Sequence, residues 1–151
     1  MDAFKELFSN LILIPAFTGW AIAQIVKVPL EYFHTRKWNW ALLFRTGGMP
    51  SSHSALVAGV AHGIGLYEGF NSAVFAVAFV LAVIVIYDAT GIRRQAGKHA
   101  RLLNAIIDDL AAGHPLKEEL LLEFLGHTPL EAVAGTVLGF ACAQIGWMLL
   151  H

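Results

Sequence analysis

Two histidines stand where the chain could do chemistry: His53, directly after Ser51 and Ser52, and His127, with Glu131 close behind it. Imidazole is the side chain that changes charge near neutral pH, and a pair of them can act as nucleophile and general acid at a phosphorus centre. A carboxylate beside one of the pair would hold its ring in the required tautomer. Cations are on hand to meet the negative charge of a phosphate: Lys27, Arg36, Arg93, Arg94 and Lys98, with Asp88 as a supporting acid nearby. Arginine forks match phosphate oxygens two at a time. The run Gly47-Gly48-Met49-Pro50-Ser51-Ser52 places backbone N–H groups and hydroxyls at the start of an expected helix, which is a ready seat for an anion.

Each of these residues also has a plainer use. Thr128-Pro129-Leu130-Glu131 has the form of a capping box with proline at the first helical position. Ser51 suits a helix N-cap, and Arg93, Arg94, Lys98 and Arg101 suit a positive cluster meeting anionic lipid. Cys142, the only cysteine, lies in an apolar run as a small packing residue, so the single chain holds no disulfide. The joint pattern, rather than any one residue, points to phosphate chemistry.

Composition says what must position these groups. The chain has 151 residues, 57% hydrophobic and only 14% charged, with mean hydropathy +0.63. Soluble domains carry about 25% charged residues. Stretches 7–26, 46–67, 69–87 and 132–150 contain no Asp, Glu, Lys or Arg, and each is near the ~20 residues that span a bilayer. The expected fold is therefore all-α: a polytopic membrane bundle of about four transmembrane helices (about 7–28, 50–67, 71–88 and 129–150) in one domain over 1–151. Amphipathic patterns over about 97–112 and 115–125 predict two further helices at the cytoplasmic interface. Asp2, Lys5 and Glu6 open the chain in place of the positive region of a signal peptide, so the first span is expected to stay.

Alternating spans bring the end of the first, the starts of the second and fourth, and the segment after the third to one membrane face. Lys27, Ser51, Ser52, His53, Asp88, Arg93, Arg94, His127 and Glu131 all converge there. The two long loops on that side carry most of the Lys and Arg, and the positive-inside rule makes it cytoplasmic, in a bacterial inner or plasma membrane. Trp38 and Trp40 suit an aromatic belt at headgroup level. Gly135 and Gly139 permit close helix contact, which is compatible with a homodimer.

The runs Gly47-Gly48-Met49-Pro50-Ser51-Ser52-His53-Ser54-Ala55, Asp88-Ala89-Thr90-Gly91-Ile92-Arg93-Arg94 and Gly126-His127-Thr128-Pro129-Leu130-Glu131 resemble the type 2 phosphatidic acid phosphatase and vanadium haloperoxidase superfamily. The likeness is greatest to its divergent bacterial and plastid membrane branch and covers nearly the full chain. The resemblance implies that His127 attacks phosphorus, that Glu131 stands where the family has an orienting aspartate, and that His53 protonates the leaving oxygen. It implies no metal and no other cofactor, because basic side chains neutralise the phosphate. The parent pattern has an arginine six residues before its nucleophile, where this chain has Leu121, so Arg93 or Arg94 would serve from another loop. Its lysine and arginine-proline motif is matched only loosely, by Lys27 with Arg36 or Lys37 with Arg45.

The function expected first is metal-independent hydrolysis of a lipid phosphate or diphosphate through a phosphohistidine. The partners are then the lipid substrate and membrane lipids, with no nucleic acid. A cytoplasmic site would suit phosphatidic acid or phosphatidylglycerol phosphate, and an outward one a polyprenyl diphosphate. One alternative is a membrane protein that binds a lipid headgroup or anion without turnover. Another is a metal-dependent enzyme like the alcohol phosphotransferases, using Asp88, Asp108 and Asp109 with Gly91 and Arg94.

Overall fold

A computed structural model describes residues 2–43, 47–111 and 127–150. Every regular element among them is helical: α1 (Asp2–Phe8), α2 (Leu13–Thr35), a short 3-10 turn (Trp40–Leu43), α3 (Ser52–Glu68), α4 (Ala73–Thr90), α5 (Ile92–Ala111) and α6 (Pro129–Leu150). Three stretches among the described residues are long and apolar enough to cross a membrane: Leu13–Thr35, Ala73–Asn104 and Pro129–Leu150. The fourth expected span, α3, has 17 residues, or about 25 Å at 1.5 Å per residue. It is the best enclosed of the four and packs against α2, α4 and above all α6. The chain is thus an all-α membrane bundle built around α3.

The core is made of small residues. Ala16, Ala23, Ala55, Ala58, Ala61, Ala132 and Ala143 are buried, while Val77, Val80, Ile84, Val133, Val137 and Met148 face outward. Lipid is as apolar as those side chains, so burying them gains little; close backbone approach is what holds membrane helices together. Gly135 and Gly139 of α6 lie directly against the carbonyls of Ser51 and Ala55 on α3, where a Cβ would fall well inside van der Waals contact. Of the helices facing lipid, α4 is the extreme case, with only Ala82 and Ala89 buried.

The first span differs from its expected bounds at both ends. The apolar run beginning near residue 7 is interrupted, because the Asn10 side chain accepts from the N–H groups of Ile12 and Leu13, at 2.9 and 3.0 Å, and starts a new helix there. At the other end α2 continues through Pro29 to Thr35 and stops where Arg36 turns left-handed at φ 57°, its N–H bonded to the Tyr32 carbonyl. Membrane helices tolerate an internal proline that would end a soluble one. Tyr32, Trp38 and Trp40 then stack, with ring centroids 4.4 and 5.6 Å apart. Helix α5 covers the first amphipathic segment and packs mainly on α4. The second, about 115–125, lies outside the described residues.

Candidate functional site

The site is assembled by backbone bonds between elements distant in sequence. The His127 N–H donates to the Ala89 carbonyl at 2.8 Å, fixing the start of α6 against the end of α4. The Ser51 N–H donates to the Glu131 carbonyl at 2.9 Å, fixing the start of α3 against the first turn of α6. These two bonds bring three helix ends to one place, and α2 adds Lys27 from its side.

His127 is buried, with 4% of its surface exposed, and its Nδ1 lies 2.9 Å from Glu131 Oε2. A carboxylate acceptor there places the proton on Nδ1 and leaves Nε2 as the ring's free lone pair when the imidazole is neutral. The capping box forms as well: Thr128 N–H donates to Glu131 Oε2 and Glu131 N–H to Thr128 Oγ1, both at 3.3 Å. The two roles foreseen for Glu131 therefore do not compete, since one oxygen meets both donors.

Lys27 is also buried, only 2% exposed. It lies well inside α2 rather than at its end. Its ammonium donates to Gln24 Oε1 at 2.6 Å and to Ser52 Oγ at 3.3 Å, and the Glu131 carboxylate attracts it electrostatically. Gly48, at φ 79°, packs over the lysine stem, and Gly47 has φ 109°. Both angles are in the region that L side chains avoid, so the glycine pair lets the loop fold down onto Lys27. An ammonium with a hydroxyl beside it offers donors suited to an oxyanion rather than to a cation.

The remaining candidates divide. Ser52 joins Lys27. Ser51 is fully enclosed, its Oγ accepting from the N–H and Oγ of Ser54, so it acts as the cap of α3. His53 is exposed in the first turn of α3, next to Ser52. Asp88 is half-buried near the end of α4. Arg36, exposed, sits about 14 Å beyond Lys27 along the α2 axis, and the two are not brought together. Lys98 is exposed on α5. Arg93 and Arg94 open α5, directly after the α4 end that holds His127, but their side chains, like those of Asp108 and Asp109, lie outside the described residues, as does Leu121 altogether. Gln24 was not foreseen. Its signal was an amide placed i,i+3 from a lysine inside an apolar span. A separate polar pair, His62 Nε2 and Gln144 Oε1 at 3.1 Å, joins α3 to α6 elsewhere in the bundle.

A small helical membrane protein with a buried histidine bonded to a half-buried carboxylate, and a buried lysine nearby, is the class that this fold and site define. The model of the Divergent PAP2 family matches residues 8–142, and the chain belongs to that family. It is also similar to a Bacillus subtilis (strain 168) protein described as the uncharacterized membrane protein YuiD, 39% identical over 145 residues, covering 89% of this chain and 92% of that one. No solved structure matches the chain.

Proposed function

We propose that the protein is a metal-independent phosphatase of a lipid phosphate or diphosphate, acting on the cytoplasmic face through a phosphohistidine. The observation that carries this reading is the buried His127 with Nδ1 held by Glu131 at 2.9 Å. In that arrangement Nε2 attacks phosphorus, and the bond from phosphorus to the lipid oxygen breaks. A protonated His53 gives its proton to the leaving oxygen. Glu131 balances the positive charge on the phosphorylated imidazole. Water then attacks phosphorus, passing its proton to His53; the P–N bond breaks, and inorganic phosphate leaves. Lys27 and Ser52 supply a cation and a hydroxyl for the phosphate oxygens, with Arg93, Arg94 and Lys98 available from α5. Membership of the Divergent PAP2 family supports the same class of chemistry.

Phosphate release from a panel of lipid phosphates, measured in detergent with EDTA present, tests it. Release is expected from the wild type and is expected to vanish in His127→Ala and His53→Ala. A folded protein that binds these lipids and releases nothing would sink it. That outcome is the second reading, binding without turnover, which is favoured by Leu121 at the family's arginine position and by the near-complete burial of His127.

A further inference from the structure

We infer that Gln24 is a positioning residue of this site: it aims the Lys27 ammonium at the phosphate seat and ties that seat to the loop that follows α2. The inference rests on the phosphatase reading only in taking the anion at Lys27 to be the substrate's phosphate.

Gln24 is a half-buried amide within a membrane-spanning helix, where a polar group left without a partner is costly. Both ends of the amide are engaged. Nε2 donates to the Leu43 carbonyl at 2.7 Å, and Oε1 accepts from Lys27 Nζ at 2.6 Å. Chemistry fixes which way round the amide sits, because a carbonyl can only accept and an ammonium can only donate. Turning the amide over would set NH2 against NH3+ and oxygen against oxygen. The orientation of Gln24 is thus dictated by the loop on one side and read out by the lysine on the other.

The consequence falls on Lys27. A lysine side chain has four rotatable carbons and would otherwise sample many positions. Held by Gln24 on one side and Ser52 on the other, the ammonium lies between α2 and the start of α3, on the side of the bundle where His127 and Glu131 sit. Both of its hydrogen-bond acceptors are neutral, so these pairings fix the ammonium without cancelling its charge; the Glu131 carboxylate that also attracts it is bonded to His127 instead. A carboxylate in place of Gln24 would fix it equally well and cancel the charge. That difference separates positioning a cation for an anion from merely packing a lysine.

Two variants and two readouts test this. Inorganic phosphate is titrated calorimetrically into the detergent-solubilised full chain, and lipid phosphate turnover is measured beside it. Gln24→Glu keeps an acceptor for Lys27 as a charge-assisted pair. It gives up the bond to the Leu43 carbonyl and should melt below the wild type but remain folded, while phosphate affinity falls at least tenfold and KM rises by a similar factor. Gln24→Leu removes both bonds; it should lose thermal stability as well as affinity. Wild-type phosphate affinity and KM in a folded Gln24→Glu protein would overturn the inference and leave the phosphatase reading standing. A wild type that neither binds phosphate nor hydrolyses any lipid phosphate would overturn both.

Discussion

At the first turn of α6 one oxygen, Glu131 Oε2, accepts from the His127 ring and from the Thr128 N–H, and substitution can separate the two duties. Glutamine also completes a capping box, so Glu131→Gln should keep the start of α6 and the melting temperature close to wild type. It removes the negative charge that stabilises a positively charged imidazole, and kcat should fall about 100-fold or more, in the range that a positioned acid–base group contributes. Thr128→Ala does the reverse. It removes the hydroxyl that accepts from the Glu131 N–H and should cost about 1 kcal/mol of stability, while turnover survives. Parallel melting curves and phosphate-release assays check both. Equal loss of activity in the two variants would mean that Glu131 serves the helix start alone. The sequence made this carboxylate legible in both of its uses because both are local, spanning a single turn. Ser51 was legible as a cap for the same reason. Alternating spans put Lys27 and Ser52 on one face, but the Lys27–Ser52 and Gln24–Leu43 bonds close over a loop, and no local pattern shows where such a loop returns.

The helices themselves were legible from long neutral runs, and their ends were less so. The interruption near Asn10 depends on one amide folding back on two N–H groups, and the passage through Pro29 depends on the membrane setting rather than on propensity. The packing between α3 and α6 was foreseen only as small residues that allow close contact, with a second copy of the chain as one partner. In the structure that contact is made within the chain, by Gly135 and Gly139 against the carbonyls of Ser51 and Ala55. Backbone cannot move aside as a flexible side chain can, so Gly135→Ala or Gly139→Ala must push α6 away from α3. The cost should reach the upper end of the roughly 1–3 kcal/mol typical of overpacking. Gly135→Ala should also disturb the Ser51–Glu131 bond one turn away and lower activity more than Gly139→Ala does. Val137→Ala, on the exposed side of the same helix, should leave both nearly unchanged. Thermal unfolding in detergent followed by phosphate-release assays gives the comparison.

For the molecule as a whole, the direction of the bundle decides which lipids can reach the site. Helix α3 begins, α4 ends and α6 begins at the site, with α2 adding Lys27 from its side, so Asn71, in the turn between α3 and α4, lies at the opposite face. Of the ten Lys and Arg residues, all but Lys5 lie between residues 27 and 45 or between 93 and 117 of the sequence. By the positive-inside rule the site's end of the bundle is expected to be cytoplasmic. Single-cysteine labelling in intact cells tests this directly, since Cys142 is the only native thiol and Cys142→Ala clears the background. In that background Asn71→Cys, at an exposed position, should react with a membrane-impermeant thiol reagent added outside. Lys37→Cys, exposed just beyond α2, should react only after the membrane is permeabilised. The reverse pattern would turn the site outward, where the phosphates it meets are those of lipids exposed on the outer leaflet, such as a polyprenyl diphosphate. The arginines and lysines would then owe their place to anion binding rather than to topology. In that case Lys37→Ala, which lies off the site, should leave the orientation unchanged, whereas under the positive-inside rule each lost loop cation weakens it.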